Sequence, residues 1–243
     1  MNTLRACWKL TRVAAHMICG LATVTFVFPK LNQKQQVQRI QSWALALLSY
    51  SAIEFEVVGN PIMAAPALLA ANHVSWLDVY VLLATCPCRF VAKSEVRQWP
   101  LISNLAAATG TLFISRQSPR DAVRVVHQMT EHLRQGDTLA IFPEGTTSNG
   151  LQVLPFHANL FQSAISAEVP VQAVALQYQD AGTQQPSLAP CYIDDDTLFG
   201  SIWRTLTAPP LRAKLSFSEP VPAQGFDRRR LAGDVRESIV KLL

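Results

Sequence analysis

Downstream of Glu54, short apolar runs alternate with stretches of helical periodicity, and that alternation leaves the chain few architectures. "FEVVG", "PALLAAN", "RFVAK", "TLFIS", "TLAIF", "VPVQAVALQY" and "LRAKLSFSEPV" read as strands. Between them, "WLDVYVLLAT" and "PLISNLAAAT" read as helices. Residues 119–134 give the clearest helix, with Ala122, Val126, Met129 and Leu133 recurring on one face. Pro119 suits its first turn and Gly136 closes it. Leu231, Val235, Ile239 and Leu242 give the last helix its apolar stripe. Strands alternating with helices predict an α/β fold, a mostly parallel mixed sheet flanked by helices. No internal repeat, long linker or low-complexity segment divides residues 54–243, so one domain is expected there.

Residues 1–53 differ in kind. They contain no Asp or Glu, yet they carry Arg5, Lys9, Arg12, Lys30, Lys34 and Arg39 around two apolar stretches, 13–28 and 40–53. A basic, acid-free, apolar segment suits an anionic bilayer surface, where each nearby cation contributes about 1 kcal/mol. As a helix the first stretch falls short of a hydrocarbon core of roughly 30 Å. "FVFPKLNQ" offers no small-residue cleavage site of the signal-peptide kind. The expectation is therefore an N-terminal membrane-binding helical hairpin that dips into one leaflet. A single tilted span and a plain core hairpin are the alternatives.

Composition excludes several other classes. The chain is 49% hydrophobic and 16% charged, greasy for a soluble enzyme but too polar for a polytopic membrane protein. Its basic residues are neither interleaved with aromatics nor set on a zinc or helix-turn-helix framework, so a nucleic-acid partner is not expected. The five cysteines form an odd set in a long chain and read as free thiols, and Cys86-Pro87-Cys88 has the wrong spacing for a zinc knuckle. His127 and His132 flank "QMTE" in the wrong order for a helical zinc motif, and no metal site is expected.

Chemistry-bearing residues fall where the expected strands end. Asn72-His73 follows "PALLAA", Lys93 ends "RFVAK", Arg116 follows "TLFIS", and Pro143-Glu144-Gly145-Thr146-Thr147-Ser148 follows "TLAIF". In open α/β sheets the crevice beyond the strand carboxyl ends is where ligands bind. His73 and Asp78 suit a base and its orienter, because a carboxylate on the second ring nitrogen fixes the tautomer and stabilises the imidazolium. No G-x-S-x-G elbow or cysteine nucleophile accompanies them, which leaves a substrate hydroxyl as the nucleophile. Taken alone, a bare H-x4-D is more often a loop histidine capping a helix, with Asp78 paired elsewhere. Arg116 taken alone is a strand cap or a partner for Asp121, and "FPEGTTSNG" taken alone is a polar turn.

In order, these segments resemble the glycerolipid acyltransferase family that includes bacterial 1-acylglycerol-3-phosphate acyltransferases. "NHVSWLD", with Asn72, His73, Ser75 and Asp78, matches its N-H-x-S-x-x-D block, and "GTLFISR", from Gly110 through Phe113 to Arg116, matches G-x-x-F-I-x-R. "FPEGTTS" matches F-P-E-G-T, and "VPVQAVAL" around Pro170 matches the fourth, proline-containing strand. The resemblance implies acyl transfer from acyl-CoA or acyl carrier protein to a hydroxyl of a lysolipid. It implies no cofactor, His73 as base and Asp78 as its holder. Arg116, Glu144, Gly145, Thr146, Lys93 and His157 would then serve the acceptor, and the oxyanion would be met by backbone N–H groups near the first or third block. It also implies attachment to the inner (cytoplasmic) membrane, with the catalytic domain on the cytoplasmic side.

Two positions depart from the family's pattern. Thr147 stands where an arginine is common, and Phe156-His157-Ala158-Asn159 replaces F-K-x-G. Fewer cations then meet a phosphate monoester. 1-Acylglycerol-3-phosphate is the first expected acceptor. Lyso-ornithine lipid is the alternative, because "PEGTTS-x-G…LPF" also resembles that branch. A non-catalytic lipid-binding protein would have no need of both His73 and Asp78, and both are present.

Overall fold

The computed structural model describes residues 3–63, 66–99, 101–114, 119–193 and 195–243. Two helices come first, α1 (Thr3–Phe26) and α2 (Gln33–Ser51). The chain continues through β1 (Ile53–Val58), β2 (Leu68–Ala71), α3 (Asp78–Thr85), β3 (Arg89–Lys93), α4 (Ile102–Ala108) and β4 (Leu112–Ile114). It then runs through α5 (Pro119–Arg134), β5 (Leu139–Ile141), α6 (Gln162–Ala167) and β6 (Val171–Asp180). It closes with α7 (Leu198–Thr207), β7 (Leu211–Phe217) and α8 (Arg228–Leu242).

The strands form one seven-stranded sheet in the order β1-β7-β6-β2-β5-β3-β4. β6, β2, β5, β3 and β4 run parallel, β7 is antiparallel to β6, and β1 is parallel to β7. The expected mostly parallel mixed sheet is therefore present. Its carboxyl edge brings the ends of β2, β5, β3 and β4 side by side.

Strand alternation explains the layers. Leu68 and Ala70 of β2 face a core with Met129 and Leu133 of α5, Ala164 of α6 and Val235 of α8. Leu69 and Ala71 face the opposite core with Leu48 of α2 and Val81 and Leu82 of α3. Helices on both faces account for runs that are apolar on every residue, such as "LLAA". The buried stripe of α5 is Val125, Met129 and Leu133. Val126, expected to be inside, is half-buried, because the inner line runs at strict four-residue steps.

Two features depart from the sequence expectation, and a third bears on one of its alternatives. α7 had no sequence counterpart, although Thr197 caps it by accepting from the Gly200 N–H at 3.1 Å. α1 starts at Thr3, well upstream of the apolar run, and takes Arg5, Lys9 and Arg12 into the helix. No helix among the described residues is long and apolar enough to cross a membrane, which goes against the tilted-span alternative.

α1 and α2 pack on each other, α1 also lies against α4 and α7, and α2 lies against α3. His16 joins the pair: its ring stacks on Trp43 at 5.0 Å and its Nε2 lies 2.9 Å from the Trp43 carbonyl. α2 begins in a capping box, with Asn32 and Gln35 each accepting the other's backbone N–H.

Candidate functional site

β2 ends one residue before Asn72, whose buried amide extends the β2–β6 ladder with side-chain atoms. Its Nδ2 donates to the Leu176 carbonyl at 3.0 Å, and its Oδ1 accepts the Leu176 N–H at 2.7 Å. His73 therefore leaves the sheet at a fixed point. Its backbone is then clamped to the segment after β5: its N–H donates to Glu144 Oε1 at 2.8 Å, and its carbonyl accepts the Ser148 N–H at 2.8 Å. The imidazole lies flat on Phe142, with centroids 3.9 Å apart and planes 11° apart.

The six residues from His73 to Asp78 form a tight loop around one carboxylate. Asp78 Oδ2 accepts from His73 Nδ1 at 2.7 Å, from the Val74 N–H at 2.7 Å and from the Ser75 N–H at 3.0 Å. Ser75 Oγ accepts the Leu77 N–H at 3.2 Å, which starts the turn into α3. Asp78 Oδ1 accepts the Tyr178 hydroxyl at 2.6 Å. The carboxylate is 0% exposed, and four donors on two oxygens are what a buried acceptor-only group needs. Burial, followed by the neighbouring Asp78, pushes the Tyr178 phenol well above its ordinary value, so it remains a neutral donor. With Nδ1–H directed at Asp78, Nε2 is the basic nitrogen. The ring is 21% exposed and lines a cavity.

That cavity has a volume of about 750 Å³, within the roughly 300–1,000 Å³ range of small-ligand sites. Its polar end holds His73, Lys93, Gly145, Thr146 and Thr147. The rest is a greasy tunnel between α1, α2, α3 and α4, with Gly20, Trp43, Leu83 and Leu105 among its walls.

The expected site residues separate into groups. Lys93 is exposed at the end of β3 and lines the cavity, as do Gly145 and Thr146. Glu144 does not line it: the side chain is buried and its second oxygen accepts the Leu154 N–H at 3.0 Å. Burial raises its pKa, an effect the His73 and Leu154 N–H groups oppose. His157 is exposed outside the lining, with its N–H donating to the Pro143 carbonyl at 2.8 Å. Arg116 lies outside the described residues. Gly110 has φ +74°, and the Arg89 guanidinium occupies the space a Cβ would need, 2.6 Å away. Phe113 carries the Arg97 guanidinium 5.0 Å above its ring. The Pro170 carbonyl accepts the Leu68 N–H at 3.0 Å, just ahead of the β6–β2 ladder. Among the described residues no cluster of three or more His, Cys, Asp or Glu is placed to hold a metal.

Tyr178, Phe142 and the aromatic wall of the tunnel were not singled out from the sequence. Val174, Leu176 and Tyr178 do alternate towards the α3 face, which is a strand signal. Nothing in that alternation pairs Tyr178 with a carboxylate one hundred residues earlier.

Residues 52–177 match the model of the family described as Acyltransferase. The chain is 37% identical to a lyso-ornithine lipid O-acyltransferase of Pseudomonas aeruginosa, over 98% of this chain and 93% of that one. It is 40% identical to a 1-acyl-sn-glycerol-3-phosphate acyltransferase of Neisseria gonorrhoeae, over 75% of this chain and 72% of that one. The fold is similar to the crystal structure of a 1-acyl-sn-glycerophosphate (LPA) acyltransferase from Thermotoga maritima. That match has a TM-score of 0.71 and 21% identity, over 99% of this chain and 95% of that one.

Proposed function

The chain belongs to the acyltransferase family, and from that premise we propose that it moves a fatty acyl group from a thioester to the free hydroxyl of a lysolipid. The observation that carries this reading is a His73–Asp78 pair, 2.7 Å apart, at the polar end of an apolar tunnel. His73 Nε2 takes the acceptor hydroxyl proton as the oxygen attacks the thioester carbonyl. Asp78 stabilises the imidazolium, and the tetrahedral intermediate collapses to ester and thiolate, with the proton passing from His73 to the sulfur. No acyl-enzyme is required.

The oxyanion donors narrow by elimination. The Val74 and Ser75 N–H groups are taken by Asp78, and the His73 N–H by Glu144. The Thr146 and Thr147 N–H groups have no acceptor among the described residues, and both residues line the cavity. They are the oxyanion site in this scheme. Glu144 acts on the reaction through the His73 backbone, as a positioning residue. The donor is acyl-CoA or acyl carrier protein.

Lys93 and Arg116 favour 1-acylglycerol-3-phosphate as acceptor, because cations suit a phosphate monoester. Lyso-ornithine lipid is a second reading with its own support: the Thr147 hydroxyl, where an arginine is common, is bonded to the Tyr192 carbonyl, and His157 is not among the residues lining the cavity. Labelled acyl-CoA offered with a panel of lysolipids tests both. The expected result is label in a diacyl product, with lysophosphatidate ahead. Transfer to lyso-ornithine lipid alone would reverse the acceptor order, and no transfer to any lysolipid would sink the activity.

The tunnel also bears on the membrane. Leu4, Trp8, Ile18 and Phe26 are exposed on α1, and at 3.6 residues per turn they fall within an arc of about 80°. Val13, Gly20 and Val24 lie on the opposite face and line the tunnel. This supports α1 lying on an anionic leaflet, with Arg5 and Lys30 nearby, and the proposed location is the cytoplasmic side of the inner membrane. Flotation with anionic vesicles should carry the protein up. Equal flotation after Trp8→Glu together with Phe26→Glu would count against that face.

A further inference from the structure

Arg236 turns inward from α8 and reaches towards the catalytic end from behind. Ala232 and Ile239, four residues before it and three after, are buried, so its stem leaves the helix on the packed side. The acids of α8 go to other cations: Asp234 lies 3.8 Å from Arg230, and Glu237 lies 2.7 Å from Lys241. Arg236 has no carboxylate partner among the described residues. Its guanidinium goes to backbone instead, with Nε donating to the Leu154 carbonyl at 3.0 Å and Nη2 donating to the Val153 carbonyl. Arg236 does not line the cavity.

The Val153 carbonyl belongs to the same peptide group as the Leu154 N–H. That N–H donates to Glu144 Oε2 at 3.0 Å, and Glu144 Oε1 accepts the His73 N–H at 2.8 Å. One planar peptide therefore has a cation on its oxygen and a carboxylate on its hydrogen. Both charges polarise it in the same sense, and hydrogen bonds linked head to tail strengthen one another where the local dielectric is low. Val153 and Glu144 are both buried. A buried carboxylate needs compensation, and Glu144 has no ion-pair partner among the described residues. The peptide conveys the charge of Arg236 to it.

We propose that Arg236 is a positioning residue for His73, acting through the peptide that joins Val153 to Leu154 and through Glu144. The C-terminal helix is thereby coupled to the general base. The proposal rests on the acyl-transfer reading, because that reading makes His73 the base. Without the guanidinium the peptide is free to turn, Glu144 holds the His73 N–H less firmly, and Nε2 meets the acceptor hydroxyl less often.

The test uses the full chain as wild type, Arg236→Met, Glu144→Gln and both changes together. Arg236→Met keeps an apolar stem and removes both donors. Its kcat should fall by roughly three- to tenfold, with KM for thioester and lysolipid nearly unchanged, because Arg236 lies outside the cavity lining. The double variant should be little slower than the slower single one, since either change cuts the same chain of bonds. Arg236→Lys, which has the charge but no planar fork, should recover part of the loss. Amide hydrogen exchange followed by NMR should quicken at both Leu154 and His73 in Arg236→Met. Should Arg236→Met fail to fold, Arg236→Lys takes its place in the same set.

Losses in kcat that multiply in the double variant overturn the relay. So does faster exchange at Leu154 with His73 unchanged, which would make Arg236 a tie for that loop alone. A rise in KM with kcat unchanged overturns it as well. Exchange needs no substrate and so separates the two readings. Faster exchange at both amides, in a chain that transfers no acyl group, keeps the relay and removes the acyltransferase. Transfer by the wild type, with His73 exchange unmoved in Arg236→Met, does the reverse.

Discussion

The two ends of the tunnel are built by different forces. At the sheet edge, His73, Asp78, Glu144 and Tyr178 are held by directional bonds of 2.6–2.8 Å between buried or half-buried groups. At the other end, α1 and α2 are held by ring stacking, by Arg12 lying 4.2 Å over Tyr50, and by a close approach at Gly20. A charge-assisted network has few substitutes, because removing one partner strands another in low dielectric. A packed aromatic wall spreads its energy over many weak contacts and can shift. Changes at the sheet edge should therefore act on rate, and changes in the helical wall should act on which chain fits.

His73→Ala gives the largest effect. General-base catalysis contributes roughly 10²- to 10⁴-fold, and turnover should fall by about that factor while the circular dichroism spectrum is kept. Retention of more than a tenth of the rate would remove His73 from the chemistry.

Tyr178→Phe comes next and probes the far side of the pair. A hydrogen bond to a charged group is worth about 1.5–3 kcal/mol, so kcat should drop by roughly ten- to a hundredfold. KM for the thioester should move much less. If KM moved and kcat did not, Tyr178 would belong to binding rather than to the orientation of Asp78.

Glu144→Gln should cost less and show it in pH. The amide keeps one acceptor oxygen for the two N–H groups that Glu144 now serves, so His73 is held less firmly. Burial raises the Glu144 pKa above its ordinary 4.5 in the folded protein. The carboxyl's contribution is thus fully present below that ordinary value and is lost as pH rises through the raised one. The wild-type stability advantage over Glu144→Gln should shrink across that window in urea melts at successive pH values. A pH-independent difference would show that burial is not felt.

The smallest effect, Gly20→Ala, tests the packed end. A Cβ there would lie 2.6 Å from Trp43 Nε1, so the indole must shift. Overpacking of this kind costs about 1–3 kcal/mol. kcat/KM should fall more for long-chain donors than for short ones. An equal fall for all lengths would mean that the wall is coupled to the histidine and that the two ends are one unit.

Much of this architecture is legible in sequence because it is local. β3 at Arg89–Lys93 and α5 at Pro119–Arg134 coincide with the runs read as strand and helix. Their periodicity, flanking turns and breakers act within a few residues. α7 was not legible, because its segment mixes Trp203, Arg204 and Thr205 with apolar residues and settles as a helix against α1. Glu144 was legible as a candidate, but its geometry was not. Both of its oxygens turn to backbone N–H groups on other segments, 71 and 10 residues away.

The sequence alone placed His73 and Asp78 five positions apart at a strand end, within reach of each other if a turn begins near Ser75; the 2.7 Å contact itself belongs to the fold. The ordered blocks likewise determined the family, and the apolar alternation determined a parallel α/β sheet. Only the tertiary structure decided that Tyr178 completes the pair, that Glu144 holds the His73 backbone, and that α1 closes a tunnel over the site. These depend on β6 and β5 flanking β2 and on two helices meeting across the α3 face. Strand order is set by the summed packing of the whole core, which no single stretch of sequence carries.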